Sequence, residues 1–212
     1  MLNQYVDNYK IKLYIFYILA EGLSRTLSDA GKEGPLGKVL PPNLRGKRSP
    51  ATAKYAKPYF KNFGKRLVKT PKLYFIDSAI VCTLTRQPSG EASLGGPLGG
   101  PLLEGFIISE TLKVFAAKGE RAECFFWRSH DGLEVDLVLQ IQGKLDPVEI
   151  KLTATPTLKH HEPLNRFKSL AGADGGPQGV LICRIEKPIP LPQNNFALPW
   201  QKFPEWLQER LS

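Results

Sequence analysis

Apolar and polar residues alternate through 133–152 (LEVDLVLQIQGKLDPVEIKL) with the period of two that is typical of β-strands. A turn at 142–144 divides the stretch into two halves, so the pattern predicts a β-hairpin. One face is apolar in both halves: Val135, Leu137, Leu139, Ile141, Val148, Ile150 and Leu152. On the opposite face, the hairpin is expected to bring Asp136, Glu149 and Lys151 together, pointing away from the apolar layer.

The same periodicities predict the other elements. Helices are expected at 2–20, from a cap at Asp77 or Ser78 to about Thr85, at 102–118, at 156–170 and at 204–211. Strands are expected at 72–76, 123–128 and 179–185. We expect Pro163 to break the fourth helix or to delay its start, because proline lacks the N–H that a helix interior needs. An Asp-Gly turn follows the strand at 123–128 and predicts a second hairpin there.

This order of elements predicts an α/β domain built on a mixed sheet. The segments are expected to be an N-terminal amphipathic helix at 1–20, a linker at 21–53 that is disordered, a basic segment at 54–85, a flexible Gly/Pro loop at 86–101 and the α/β domain at 102–212. Within the last of these, the Pro-rich stretch 187–199 is expected to be irregular.

Charge changes this picture, because the net charge of +9 is unevenly spread. Residues 1–103 hold 16 Lys+Arg and 6 Asp+Glu, whereas 104–212 hold 13 and 14. Such asymmetry suggests an anionic partner, with nucleic acid the commonest; a merely basic, soluble surface is the alternative. The candidate nucleic-acid contacts lie among aromatic residues in the basic segment: Lys61, Lys65, Arg66, Lys69 and Lys72. An amphipathic helix whose lysines reach outward would have the same composition.

The sequence indicates no disulfides, no zinc or nucleotide site and no membrane span. The three cysteines are far apart, with no CxxC, so neither disulfides nor a zinc site is expected and a reducing cytoplasm is the default location. The apolar run 13–20 is too short to cross a bilayer, and no membrane partner is expected. The stretch GKEGPLGKV departs from a phosphate-binding loop in spacing and has Val39 where Ser or Thr is needed, so no nucleotide site is expected.

The hairpin residues suggest a definite chemistry. Paired carboxylates hold Mg²⁺ or Mn²⁺, with water and substrate phosphate completing the coordination shell. Lys151 could orient a water or stabilise the pentavalent oxyanion as a point charge. The alternative for Asp136, Glu149 and Lys151 is a solvated sheet face with one cross-strand ion pair. A carboxylate from the helix at 102–118, either Glu104 or Glu110, could also be directed at this site.

Several separated blocks carry a resemblance to a known family: PYFKNFGKRLVKTPKLYFIDSAI, PLLEGFIISETLKVF, CFFWRSHDGLEVDLVLQ and PVEIK. Together they resemble the C-terminal domain of a large group of prokaryotic AAA-type ATPases, a domain catalogued as one of unknown function and similar to the PD-(D/E)XK, restriction-endonuclease-like superfamily. The resemblance covers roughly 55–170. The superfamily motif maps onto Asp136, Glu149 and Lys151, with Glu104 as the helical acid and Glu110 as its alternative.

The resemblance implies a restriction-endonuclease-like core, a four-stranded mixed sheet flanked by helices, at 102–212. It also implies that the basic segment near 54–75 belongs to a small helical, winged-helix-like module. The ATPase module itself is missing, since there is no Walker A motif, and no ATPase activity is expected.

Two functions follow as hypotheses. The first is a nuclease that uses Mg²⁺ or Mn²⁺ held by Asp136, Glu149 and Glu104. The second is a non-catalytic module, the remnant of a larger ATPase, which binds DNA or docks on a protein such as a partner ATPase or a second copy of itself.

Overall fold

The computed structural model describes residues 53–59, 72–129 and 132–212. The strands are β1 (Ala53–Pro58), β2 (Lys72–Phe75), β3 (Cys124–Arg128), β4 (Glu134–Ile141), β5 (Lys144–Ile150), β6 (Gly179–Cys183), β7 (Ile189–Leu191) and β8 (Asn195–Pro199). The helices are α1 (Ser78–Leu84), α2 (Gly90–Gly95), α3 (Gly99–Ala117), α4 (Leu158–Ala171) and α5 (Phe203–Arg210). Two predictions, the helix at 2–20 and the linker at 21–53, lie essentially outside the described residues, which begin at Ala53.

The described strands form one sheet in the order β2-β1-β3-β4-β5-β6-β8-β7. The β1–β3, β5–β6 and β6–β8 pairs are parallel, and the remaining pairs are antiparallel. The predicted α/β fold with a mixed sheet flanked by helices is therefore confirmed. The sheet is wider than the four strands that the resemblance implied, because β1 and β2 extend one side, and β8 and β7 extend the other.

Helices cover both faces of the central strands, and each face has its own apolar core. Side chains of α3 and α5 pack on one face, with Ile107 and Phe203 fully buried against Leu137 and Val148 of the hairpin. Side chains of α4 pack on the other face, with Phe167 against Trp127. Because both faces are covered, Asp136, Asp146 and Glu149 of the hairpin are buried, which argues against the alternative of a solvated sheet face.

A β-bulge in β4 changes the face that Val135, at the start of the strand, occupies. Phe125 pairs with Val138 but Trp127 pairs with Val135, so Phe126 alone stands opposite two residues of β4. Val135 consequently packs with Trp127 on the α4 side, whereas Leu137 packs on the α3 side. The prediction that Val135 shares a face with Leu137 is therefore wrong, since a bulge interrupts the simple alternation.

Most predicted elements of the second half are confirmed within a residue or two. The hairpin at 133–152 forms β4 and β5, and β3 and β4 form a second antiparallel pair. Asp131 of the predicted Asp-Gly turn lies outside the described residues. Asp77 caps α1 by accepting a hydrogen bond from the backbone N of Ala79 at 2.8 Å, as the sequence predicted. In the basic segment 54–85, β1 and β2 pair with each other, and β1 also pairs with β3.

The prediction of a flexible loop at 86–101 is wrong, because this stretch contains α2 and the start of α3. Ser89 caps α2 by accepting a hydrogen bond from Ala92 N at 3.1 Å. Pro101 lies in the first turn of α3, where no intrahelical N–H donor is required. Gly99 is needed for close packing, since a Cβ there would lie 2.3 Å from the carbonyl oxygen of Leu94.

Two other predictions based on proline are also wrong. The stretch 187–199 is not irregular, since β7 and β8 form an antiparallel pair within it, and the proline of β7 lies on a strand that pairs only with β8 among the described strands. Helix α4 is not broken at Pro163 but runs from Leu158 to Ala171 with that residue buried inside it.

Among the described residues, no helix combines the length and the apolar character needed to cross a bilayer. Within the described residues, Cys82, Cys124 and Cys183 are not joined by disulfides.

A buried ion pair joins α5 to the hairpin. Asp146 of β5 is 2% exposed, and its Oδ2 lies 3.0 Å from Nε of Arg210. Burial raises the pKa of Asp146, and the Arg210 guanidinium partly offsets that rise. Gly176 packs tightly against this carboxylate, since a Cβ there would lie 1.7 Å from Oδ1.

Arg210→Met is expected to lower the free energy of unfolding by about 2–4 kcal/mol, because it leaves a buried carboxylate without its cation. Urea denaturation followed by circular dichroism measures the change. The matched control is Lys202→Met, whose ammonium pairs with Glu205 on an exposed surface. Equal stabilities of the two variants would show that the pair contributes no more than a surface ion pair.

Candidate functional site

The hairpin brings together the three residues that the sequence singled out. Asp136 lies on β4, Glu149 lies on β5, and Lys151 directly follows β5. Nζ of Lys151 lies 3.2 Å from Oδ2 of Asp136 and also contacts Oε1 of Glu149. Backbone groups fix both carboxylates, since Ile150 N donates to Asp136 at 2.9 Å and Asp136 N donates to Glu149 at 3.4 Å. The predicted juxtaposition is therefore present, with both carboxylates buried and Lys151 partly exposed.

Two further carboxylates meet Asp136 on the side of α3. Glu104 comes from the first half of α3, and Glu134 begins β4. Glu104, Glu134 and Asp136 each offer one oxygen, and these oxygens all lie within 4.8 Å of one another. We call this set the three-carboxylate cluster. All three ligand atoms are carboxylate oxygens, the donor type that Mg²⁺ and Mn²⁺ prefer, so the residues fit such an ion.

The ammonium of Lys72 lies beside the three-carboxylate cluster and pairs with its members. Its Nζ is 2.9 Å from Oε1 of Glu104 and 4.0 Å from Oδ1 of Asp136, and it also contacts Oε1 of Glu134. The same Nζ lies 5.4 Å from the ring centroid of Phe126, close enough for a cation–π interaction. Lys72 was predicted to contact nucleic acid, but here its charge is directed at carboxylates.

The remaining predicted nucleic-acid contacts, Lys61, Lys65, Arg66 and Lys69, lie outside the described residues. Of the two candidate helical acids, Glu104 reaches the cluster. Glu110 lies further along α3, and its carboxylate pairs with Lys113 at 2.6 Å.

Tyr74 and Arg128 complete the surroundings. The hydroxyl of Tyr74 donates to Oε1 of Glu104, the same oxygen that Lys72 contacts. Arg128 of β3 pairs with Glu134 across the strand ladder. With all groups ionised, four carboxylates (Glu104, Glu134, Asp136 and Glu149) face three cations (Lys72, Arg128 and Lys151).

Burial and neighbouring charges shift the pKa values of Glu149, Glu104 and Lys72. Burial raises the pKa of Glu149 to about 8, with a further rise from neighbouring Asp136 that the Lys151 ammonium only partly offsets. Burial also raises the pKa of Glu104. For Lys72, burial by itself would lower the pKa, but the carboxylates of Glu104, Glu134 and Asp136 together outweigh burial and raise it. Lys72 is therefore a permanent cation at neutral pH.

The raised pKa of Glu149 makes stability depend on pH. The pKa rises from an ordinary value of 4.5 to about 8, so between these values the folded protein binds more protons than the unfolded chain. Stability from this group is complete below the lower value and is lost as the pH rises toward the upper one. Because Glu149→Gln cannot ionise, the variant should lose about 1–3 kcal/mol less stability than the parent on going from about pH 5 to about pH 8.

Urea denaturation at a series of pH values measures that difference. Glu205→Gln, which removes an exposed carboxylate, is the control and should follow the parent. Parallel pH profiles for the parent and Glu149→Gln would contradict the raised pKa of Glu149.

Glu134 was not predicted as a member of the site, and the contacts of Lys72 with these carboxylates were not predicted either. A signal for Glu134 was available, since it lies two residues before Asp136 and shares its face in an extended strand. No comparable signal existed for Lys72, because its place depends on β1 and β2 joining the sheet beside β3. Neither histidine of α4 joins the site: His160 Nδ1 accepts the backbone N–H of Thr157 in a cap, and His161 is buried on the α4 side.

The part of the chain that contains most of these site residues is similar to known proteins. Two relatives, each described as an uncharacterized protein, come from Mycobacterium bovis and Mycobacterium tuberculosis. Each is 30% identical over 101 residues, which is 48% of this chain and 22% of the relative, so the chain spans about a fifth of the length of these relatives. Residues 99–203, which include Glu104, Asp136 and Lys151 but exclude Lys72, match the model of a domain of unknown function, DUF4143.

Proposed function

We propose that this chain carries a metal-dependent phosphodiesterase site that cleaves nucleic acid. The observation that carries the proposal is the convergence of Glu104, Glu134 and Asp136 within 4.8 Å, directly beside the Glu149–Lys151 pair. Glu104, Asp136, Glu149 and Lys151 also follow one another in the order of the restriction-endonuclease-like motif that the sequence resembles. Glu134 lies outside that motif and takes the place among the proposed metal ligands that the resemblance gave to Glu149. The proposal thus rests on both the donor chemistry and the resemblance.

Glu104, Glu134 and Asp136 would hold the metal ion, because they supply three neighbouring oxygen ligands from α3 and β4. When bound there, Mg²⁺ or Mn²⁺ would lower the pKa of a water ligand and neutralise charge on a phosphodiester. The hydrogen bond from Ile150 N to Asp136 Oδ2 fixes that carboxylate before any ligand arrives. Such preorganisation reduces the reorganisation that the reaction requires.

We assign Lys151 to the stabilisation of negative charge and Glu149 to the acceptance of a proton. Lys151 is partly exposed, so its ammonium can stabilise the negative charge that develops on the phosphoryl oxygens. Glu149 contacts Lys151, and its raised pKa makes its ionised carboxylate a stronger acceptor for a proton of the attacking water than an ordinary glutamate.

A non-catalytic module that binds DNA or docks on a protein, such as a partner ATPase or a second copy, is the second candidate. One observation favours it: every carboxylate of the cluster already contacts a cation of this chain, so the cluster could serve only to join β2, α3 and β4. In that case the ion-pair network would be structural, and nucleic acid or protein would bind elsewhere.

A cleavage assay separates the two candidates. Full-length protein is incubated with supercoiled plasmid, linear duplex, single-stranded DNA and RNA, each with Mg²⁺, Mn²⁺ or excess EDTA. The proposal predicts nicking or degradation of at least one substrate with metal and none with EDTA. Binding without cleavage under every condition would instead favour the non-catalytic module.

A further inference from the structure

The ammonium of Lys72 pairs with the three carboxylates that would hold a metal ion. A divalent ion held by Glu104, Glu134 and Asp136 must contact an oxygen of each, and the Lys72 ammonium already contacts or approaches all three. An ammonium and a divalent cation cannot share these oxygens without strong repulsion. The two cations are therefore alternative occupants of one site.

The ammonium is held in place by its surroundings. Lys72 begins β2, which pairs with β1, and the side chain passes over the ring of Phe126. Tyr74, two residues later on the same strand, donates its hydroxyl to Glu104. Strand β2 thus directs one cation and one hydrogen-bond donor at the cluster from outside residues 99–203, the region that matches the known domain.

We propose that Lys72 is a built-in competitor that limits metal binding at the three-carboxylate cluster. This inference rests on the proposed function and adds its regulation. Without metal, the Lys72 ammonium offsets part of the negative charge of the three carboxylates. Metal binding then requires the Lys72 side chain to move out. A partly exposed lysine on a flexible four-carbon stem can make that movement. Metal affinity is consequently weaker than three carboxylates alone would give.

Lys72→Met tests this inference, because it keeps the length of the side chain and removes the charge. Calorimetric titration with Mn²⁺ at fixed pH and ionic strength should give a dissociation constant at least about tenfold lower than that of the parent, since the competing cation is gone. Lys113→Met is the matched control: it removes an exposed ammonium that pairs with Glu110, and it should bind Mn²⁺ as the parent does.

The outcomes separate this inference from the proposed function. If the parent and Lys72→Met bind Mn²⁺ equally, or if the variant binds more weakly, competition by Lys72 is overturned while the metal site stands. If neither protein binds Mn²⁺, both the inference and the metal site are overturned.

Lys72→Met also leaves partly buried carboxylates without their cation, so the stability of the variant is measured with and without Mn²⁺. The variant should have a lower melting temperature than the parent without metal, and Mn²⁺ should raise the melting temperature of the variant more than that of the parent. A variant that Mn²⁺ does not stabilise would overturn the inference.

Discussion

Asp136→Asn is expected to lower the rate of metal-dependent cleavage by at least about 1,000-fold, because it removes the charge of the most central ligand. Asp136 is the carboxylate that the two halves of the site share: it belongs to the three-carboxylate cluster, and its Oδ2 also meets Lys151. The substitution is isosteric, and an amide oxygen can still accept the hydrogen bond from Ile150 N. The initial rate on a fluorescent linear duplex in saturating Mn²⁺ measures the effect.

The control for this variant is Glu205→Gln, which removes a carboxylate from an exposed surface pair and should cleave as the parent does. Circular dichroism should show that Asp136→Asn keeps the spectrum and cooperative melt of the parent. A folded Asp136→Asn protein that cleaves at the rate of the parent would assign the cleavage to another site or to a contaminant.

Lys151→Met is expected to reduce cleavage by about 100-fold while leaving Mn²⁺ affinity unchanged or tighter, because Lys151 acts on developing charge and is not a ligand. Its ammonium contacts Asp136 and Glu149 but lies outside the set of oxygens that would hold a metal. The variant therefore distinguishes stabilisation of the transition state from binding of the ion. Cleavage rates and calorimetric titrations on the same preparation measure the two effects.

Lys113→Met again serves as the control for loss of a lysine charge. If Lys151→Met loses metal binding and cleavage in parallel, Lys151 acts by holding the cluster together and not on the reaction. If it loses neither, the Lys151–Glu149 pair has no part in the chemistry.

The hairpin shows how much of the site sequence patterns can predict. Alternation identified β4 and β5, and pairing across the hairpin then placed Asp136, Glu149 and Lys151 together, as the structure has them. This succeeds because the side-chain period of a strand and the turn length fix which residues can meet. The α/β class followed from the order of the elements for a similar reason.

The missed features depend on contacts between residues distant in sequence. The bulge opposite Phe126 moves Val135 to the α4 side, and no period in the sequence announces it. Lys72 meets Glu104 across 32 positions of sequence, and only the width of the sheet brings them together. The burial of Asp136 and Glu149 was not predicted, because the sequence of the hairpin alone does not show that helices cover both of its faces.

The segment 86–101 shows that composition alone does not distinguish a loop from a helix. Its glycines and prolines were taken as signs of a loop, yet Gly99 is there to allow close approach to Leu94, and Pro101 fits the first turn of α3. Composition records the presence of these residues but not the position within a helix at which each is tolerated.

The most direct test of the central claim is a metal add-back experiment on plasmid DNA. Full-length protein is stripped with EDTA, dialysed, and assayed for nicking before and after Mg²⁺ or Mn²⁺ is restored, beside Asp136→Asn treated in the same way. We predict no nicking by the stripped protein, recovery of nicking when metal is restored, and no recovery by the variant. Failure of the parent to nick any plasmid after metal is restored, or equal nicking by both proteins, would contradict a metal-dependent phosphodiesterase site at Asp136.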